Sequence, residues 1–184
     1  MTDRRRRLAE LLRTHSLRDG DFTLASGQRS SVYVDVKSTS LTGEGASLIG
    51  SLLFDLFLQA DPEAQGIGGL TLGADPLVTA ISLAAHHKGH DIAALIVRKE
   101  PKGHGTERFV EAPPTIPEGA TVIVVDDVIT TAGSTCTALQ RLRAEGFVVE
   151  HALCVVDREA GGRQALENEG VQLHALFSLS ELRK

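Results

Sequence analysis

Apolar residues recur along this chain first at helical and then at strand spacing. From Arg4 to His15 they fall on one side of a helix, at Leu8, Leu11 and Leu12, so the spacing predicts an amphipathic helix. Phe22 to Leu24 and Val32 to Val36 read as short strands, joined by the polar turn Ala25-Ser26-Gly27-Gln28-Arg29-Ser30. Thr42 to Leu58 is a long apolar helix. Gly66 to Leu70 is then a buried strand, after which Asp75-Pro76 opens a helix as cap and first-turn proline. Ile92 to Arg98 and Thr121 to Val125 are further strands. A helix from Gly133 to Glu145 stops at Gly146, Val148 to Val156 is a strand, a short helix lies near Arg163 to Glu169, and Val171 to Leu179 is a last strand. Near-continuous apolar strands between helices predict an α/β fold whose mainly parallel sheet is covered on both faces. Without a repeat or a linker, residues 1–184 read as one domain.

Lys99 to Pro117 breaks this alternation. It is long, polar and rich in Gly and Pro, the mark of a lid or a disordered segment.

Composition narrows the classes of function. Hydrophobic residues make up 42% of the 184, enough for a packed core. The 19 Lys and Arg stand against 24 Asp and Glu, a net charge of −5, which argues against non-specific nucleic-acid binding. The 2 cysteines, Cys136 and Cys154, form no CxxC pair, as expected in a reducing cytoplasm. Arg4 to Arg7 are followed by no apolar core of a signal peptide, and no apolar run is long enough to span a membrane. The expectation is a cytoplasmic protein with neither membrane nor nucleic acid as partner, Arg4 to Arg7 being a solvated helix face.

The richest chemistry lies in Val122-Ile123-Val124-Val125-Asp126-Asp127-Val128-Ile129-Thr130-Thr131-Ala132-Gly133-Ser134. A buried strand delivers two carboxylates to its C-terminal end, the edge of a parallel sheet where ligands bind. The small residues that follow let backbone N–H groups approach a phosphate. Their hydroxyls add hydrogen bonds, and the coming helix N-terminus favours negative charge. No Gly-Lys-Ser/Thr follows, so this is not a Walker A loop. The carboxylates suit ribose hydroxyls, or Mg²⁺ by way of water, better than they suit the phosphate. The pattern therefore asks for a ligand with a diol at one end and a phosphate at the other. His86 and His90, four apart on a helix, lack a visible third ligand, so no protein-held metal is expected.

This run resembles the signature of the type I phosphoribosyltransferases, which use 5-phosphoribosyl 1-pyrophosphate (PRPP). Three further segments resemble the orotate-using branch of that family: Phe22 to Ser31, the Gly68-to-Leu77 loop, and Arg98-Lys99-Glu100-Pro101-Lys102-Gly103-His104-Gly105. Asp157-Arg158 fits as well. The resemblance implies a small N-terminal hood, mainly residues 1–40, and a flexible lid at about 99–117. It implies transfer of a phosphoribosyl group from PRPP to orotate, giving orotidine 5′-monophosphate and pyrophosphate in pyrimidine synthesis, with Mg²⁺ carried mainly by PRPP and water. Asp126 and Asp127 are then catalytic acids on the ribose hydroxyls. Val128, Ile129, Thr130, Thr131, Ala132, Gly133 and Ser134 form the 5′-phosphate loop. Gly73, Ala74 and Asp75 sit in the pyrophosphate loop, and Arg98, Lys99, Lys102 and His104 contact pyrophosphate, Lys102 and His104 with a catalytic role. Thr130 and Arg158 meet orotate. The resemblance also implies a homodimer with shared active sites, Lys99 reaching the neighbouring subunit because the strand's pleat turns it away from Arg98.

Many relatives carry Lys where this chain has Ala25 and Gly73, and Arg29 or Lys37 are the candidates to replace that charge. Two other functions compete: a phosphoribosyltransferase for uracil or a purine, and a regulator that keeps the PRPP fold and binds nucleic acid through Arg4 to Arg7. The Ser26-Gly27 segment and the cations of the lid favour the orotate enzyme, and the net charge disfavours the regulator.

Overall fold

The apolar strands after residue 60 assemble into one six-stranded sheet. The computed structural model describes residues 2–23, 29–101 and 108–184, so Lys102, His104 and the Ala25-to-Gln28 turn lie outside the described residues. In chain order the strands are β1 (Leu17–Thr23), β2 (Arg29–Val34), β3 (Gly66–Leu70), β4 (Ala93–Val97), β5 (Val110–Glu111), β6 (Val122–Ile129), β7 (His151–Asp157) and β8 (Gln172–Ser178). The helices are α1 (Asp3–Leu11), α2 (Lys37–Ser40), α3 (Gly43–Ala60), α4 (Asp75–His87), α5 (Gly133–Ala144), α6 (Gly162–Asn168) and α7 (Leu179–Leu182). The large sheet runs β5-β4-β3-β6-β7-β8 and is parallel except for β5. β1 and β2 form a separate antiparallel hairpin.

The pleat divides the core in two. Ile123 and Val125 of β6, with Leu153 and Val155 of β7, face a cluster built with α1, α3 and α4. Val122 and Val124, with Ala152 and Cys154, face the other way, onto Leu139 and Leu142 of α5 and Leu166 of α6. Both faces of the strands are buried, which is why these strands are apolar at nearly every position. Truncating a residue as enclosed as Phe54, which is 0% exposed, costs about 3–5 kcal/mol. On the first face α3 and α4 approach so closely that a Cβ at Gly50 would lie 2.5 Å from the Ala80 carbonyl.

Several elements depart from the sequence pattern. The first helix does not run to His15, because Leu12–Ser16 is a wider π-helical turn. β1 starts at Leu17, earlier than Phe22, and is held by its ladder to β2 although Arg18, Asp19, Gly20 and Asp21 are polar or lack a side chain. Asp75 is not a cap: Ala74 precedes the helix and Asp75 is its first residue, its Oδ2 accepting a 2.6 Å bond from the Thr71 hydroxyl. β6 continues past Val125 to Ile129 because its ladder to β7 continues, Asp126 opposite Cys154 and Val128 opposite Val156. β7 begins at His151, Val148 making only an isolated bridge to Thr121. The short helices α2 and α7 went unpredicted. The long break at 99–117 is narrower than its composition suggests, since β5 returns to pair with β4 and the Arg98 amide donates to the Phe109 carbonyl at 2.7 Å.

Arg4 to Arg7 are not a bare solvated face. Arg4 meets Asp55 at 3.2 Å, Arg6 meets Asp3 at 2.6 Å and Arg7 meets Glu44 at 2.7 Å. Arg5 reaches Glu181 at 2.6 Å and stacks over the Phe177 ring at 4.5 Å. Arg4 and Arg7 pin α1 to α3, and Arg5 pins it to α7. Among the described residues no helix is long and apolar enough to cross a membrane.

Candidate active site

β6 carries its acids to the C-terminal edge of the sheet, and the pleat separates them. Asp126, Val128 and Thr130 line a cavity of about 350 Å³ with Thr131, Ala132, Gly133, Ser134 and Thr135. Tyr33 and Val34 of β2 close that cavity from the hairpin, and Arg158 closes it from the end of β7. Asp127 turns to the other side. Its carboxylate packs against the 71–75 loop, where a Cβ added at Gly73 would lie 2.8 Å from Asp127 Oδ1, so a side chain at that position needs the acid to move.

The loop into α5 is held in a costly shape. Ala132, which precedes the helix, has φ 64°, a left-handed conformation disfavoured by about 1–2 kcal/mol for an L residue with a Cβ. Two bonds flank it: the Cys136 amide donates to the Ala132 carbonyl at 2.8 Å, and the Gly162 amide donates to the Thr130 carbonyl at 2.9 Å. The turn leaves Thr131, Gly133 and Ser134 exposed at a helix N-terminus, where the first amides have no intrahelical acceptor.

Asp126 shares a cavity with this anion-binding loop. It is buried, and burial, reinforced by the nearby Asp127 charge, pushes its carboxyl up from 3.8 to about 7, against the 2.8 Å bond from the Thr135 hydroxyl. Asp127 finds a cation. Lys37 Nζ lies 2.8 Å from Asp35 Oδ1 and 3.6 Å from Asp127 Oδ2. Desolvation is the largest influence on Lys37 and pulls its pKa down, but the bond to Asp35 and the charge of Asp127 outweigh it and raise the pKa. Of the two candidates to replace missing charge, Lys37 thus sits against the acid pair.

Arg158 stands one residue beyond β7. Its amide donates to the Ile129 carbonyl at 2.8 Å and its guanidinium to the Val32 carbonyl at 3.3 Å. Burial lowers its pKa from the usual value, but a guanidinium stays charged in proteins.

The remaining predicted cations gather elsewhere. Arg98 and Lys99 line a second cavity of about 440 Å³ with Thr71, Ile96, Glu100 and Glu111. β4 ends at Val97, one residue before Arg98, and Arg98 and Lys99 both line this cavity. Arg98 pairs with Glu111 at 3.0 Å, and the side chain of Arg141 donates to the backbone carbonyls of both Arg98 and Lys99 while its guanidinium stacks on Phe109 at 4.1 Å. Lys99 is exposed and makes no ion pair among the described residues. His90 sits edge-on to the Phe54 ring at 5.2 Å. Sequence reasoning missed Tyr33, Thr135 and Asp35, whose roles arise from contacts between distant segments and carry no local signature.

Among the described residues no three His, Cys, Asp or Glu side chains cluster as a metal cage. Asp126 is taken up by Thr135 and the Asp127 amide. Asp127 lies beside the 71–75 loop, and Asp75 Oδ1 is buried there with no hydrogen-bond partner. Such a donor set fits a hydrated metal brought in on a ligand better than one held by protein alone.

Residues 68–169 match the family model of the phosphoribosyl transferase domain. Over 182 residues the chain is 49% identical to the orotate phosphoribosyltransferase of Thermosynechococcus vestitus, covering 99% of this chain and 94% of that protein. It is 42% identical to the enzyme of the same name from Aquifex aeolicus, covering 97% of each. The crystal structure of Mycobacterium tuberculosis orotate phosphoribosyltransferase in complex with PRPP superposes with a TM-score of 0.79 at 36% identity, over 98% of this chain and 99% of that one.

Proposed function

The chain belongs to the orotate phosphoribosyltransferase family of phosphoribosyl transferases, and from that premise we propose how its residues divide the work. The reaction moves the 5-phosphoribosyl group of PRPP to orotate and releases orotidine 5′-monophosphate and pyrophosphate, a step of pyrimidine nucleotide synthesis. The observation that carries the assignment of residues is the single cavity bounded by the Thr130–Ser134 loop at one side and Arg158 at the other. The loop amides and hydroxyls hold the 5′-phosphate. Asp126 and Asp127 hold the ribose hydroxyls. Arg158 pairs with the carboxylate of orotate in a two-pronged bond, with Thr130 beside it. Tyr33 and Val34 cover the base and limit water.

The leaving group belongs to the other cavity. As the bond from the sugar to pyrophosphate breaks, positive charge grows on the ring and negative charge on the phosphates. Arg98 and Lys99, with Lys102 and His104 from the same segment, stabilise that charge separation. Mg²⁺ brought in with PRPP would supply further positive charge to the leaving group. Asp127, packed on the 71–75 loop, is the acid best placed to meet its water shell.

The protein acts as a homodimer with shared sites. Support comes from an apolar groove of about 610 Å³ between α3 and α4, lined among others by Ala46, Ala80, Leu83 and Ala84. Leu72 and Leu83 are 67% and 55% exposed, a poor arrangement for a lone protomer and a suitable one for a second copy. Cys136 and Cys154 are both unpaired, as a cytoplasmic setting requires. The deciding assay compares orotate, uracil, hypoxanthine and xanthine as acceptors with PRPP and Mg²⁺. Orotate alone is expected to turn over, and activity is expected to vanish with a chelator. Faster turnover of uracil or a purine would overturn the orotate site.

A further inference from the structure

The turn that carries Arg158 is strained one residue later. Glu159 has φ 58°, in the left-handed region that side chains bearing a Cβ avoid, although glycine would fit there freely. What holds it is a set of bonds reaching both ways. The Glu159 amide donates to Asp157 Oδ1 at 2.8 Å, and Asp157 is itself gripped by Arg163 at 3.1 Å. The Glu159 carboxylate accepts from the Ser180 amide at 2.9 Å and from the Ser180 hydroxyl at 3.1 Å. Both oxygens are thus fixed on the first turn of α7.

That turn is a firm anchor. Arg5 binds Glu181 and the Leu176 carbonyl, at 2.6 and 2.7 Å, and Arg13 Nε donates to the Leu182 carbonyl at 2.8 Å. The hydrogen bond from Arg5 holds the Glu181 carboxyl below its usual pKa, against the opposing effect of burial. A chain of contacts thus runs from α1 through α7 and Glu159 to the residue after Arg158. The Glu159–Ser180 contact is exposed, so by itself it contributes little to the stability of the fold. A strained residue kept by exposed bonds beside a cavity residue is explained by what it orients.

We propose that Glu159 is a positioning residue for the base site: its carboxylate, anchored on Ser180, sets the turn that presents the Arg158 guanidinium to the incoming base. This rests on Arg158 being the residue that meets the orotate carboxylate. Glu159 touches neither substrate and acts only through Arg158. A displaced guanidinium weakens a directional, two-pronged bond at once, whereas the phosphate loop meets this turn through backbone bonds from Arg158 and Gly162 to Ile129 and Thr130, which the Glu159 side chain does not touch.

The test replaces Glu159 by glycine, which adopts the same backbone without strain but lacks the carboxylate. In Glu159→Gly the KM for orotate is expected to rise about three- to tenfold, while the KM for PRPP stays within about twofold and the melting temperature is nearly unchanged. Glu159→Gln, which keeps one acceptor oxygen, is expected to recover part of the loss. Ser180→Ala should reproduce a smaller version of it. Because Glu159 acts through Arg158, Glu159→Gly added to Arg158→Ala is expected to cost nothing more in orotate KM. An unaltered orotate KM in Glu159→Gly, an equal rise for both substrates, or additive losses in the double variant each overturn the proposal. The Arg158→Ala single variant separates the two readings. If it raises the orotate KM and Glu159→Gly does not, the positioning role fails while the base site stands. If Arg158→Ala leaves the orotate KM alone, both fall.

Discussion

The two cavities differ in how far they are built before any ligand arrives. Around the Thr130–Ser134 loop, donors are fixed by buried backbone: β6 lies between β3 and β7, the loop is tied to Gly162, and Asp126 is locked onto Thr135. Around Arg98 and Lys99 the charges are exposed, and Arg98 is engaged with Glu111. Under the assignment proposed above, the phosphate ester that persists through the reaction meets a rigid cradle, and the group that leaves meets exposed cations, of which Arg98 must give up Glu111. Rigidity where charge is constant, and exchange where charge develops, is an arrangement that favours the transition state over the bound substrate.

The largest test removes the rigid side's acids. Asp126→Asn/Asp127→Asn is expected to lower kcat/KM by about 10²- to 10³-fold in steady-state kinetics while circular dichroism stays native. Unaltered kinetics would sink the assignment of the pair. Next in size is Lys99 on the exchanging side. Lys99→Ala is expected to be nearly inactive alone, as is the Asp double variant. Refolded together, half of the dimers are hybrids with one intact site, so roughly a quarter of all sites should recover. Hybrids that form and stay inactive would place Lys99 in its own subunit's site. Arg158→Ala is third: losing a charge-assisted bond of roughly 1.5–3 kcal/mol should raise the orotate KM about ten- to a hundredfold and leave PRPP binding nearly unaffected.

The smallest test reads stability. The Asp126 carboxyl titrates near 7 when folded and near 3.8 when unfolded. Between those values the folded chain holds the extra proton, so stability falls as pH rises through the window, and the full penalty of a buried charge is present above it. Asp126→Asn has no charge to bury. It is expected to raise the melting temperature near pH 8 by a few degrees, a gain on the order of 1–2 kcal/mol, and to lose that gain toward pH 5. A pH-independent gain would mean that Asp126 is not the group titrating.

The contrast also accounts for what the sequence made legible. Val122 to Ser134 was readable because strand, acids, phosphate loop and helix start are consecutive, and each leaves a local mark. The parallel sheet was readable because two-sided burial demands apolar strands. β1 was not, since backbone bonds to β2 hold it with almost no buried side chains. The opposite facing of Asp126 and Asp127 required knowing that β6 runs on through them. Lys37 could be named as a candidate but not placed, because the segment that carries it meets Asp127 only in the folded hairpin. Glu159 gave no signal at all: an acid looks ordinary in sequence where a glycine would have announced the left-handed turn.

The clasp between α1 and α7 has a consequence for how the molecule is made. Arg5 and Glu181 stand 176 positions apart, and closing a loop of that length carries a length-dependent entropy penalty of about 4–5 kcal/mol. A partly exposed ion pair returns about 1 kcal/mol at most, so the clasp cannot form by its own attraction. It must wait until β6, β7 and β8 have brought the two segments together. During synthesis α1 emerges early and remains without its partner until residues near 181 have been added. If Glu159 sets Arg158 through α7, as proposed, the base side of the cavity depends on residues near 181, whereas the Thr130–Ser134 loop depends on β6, α5 and Gly162, all earlier in the chain.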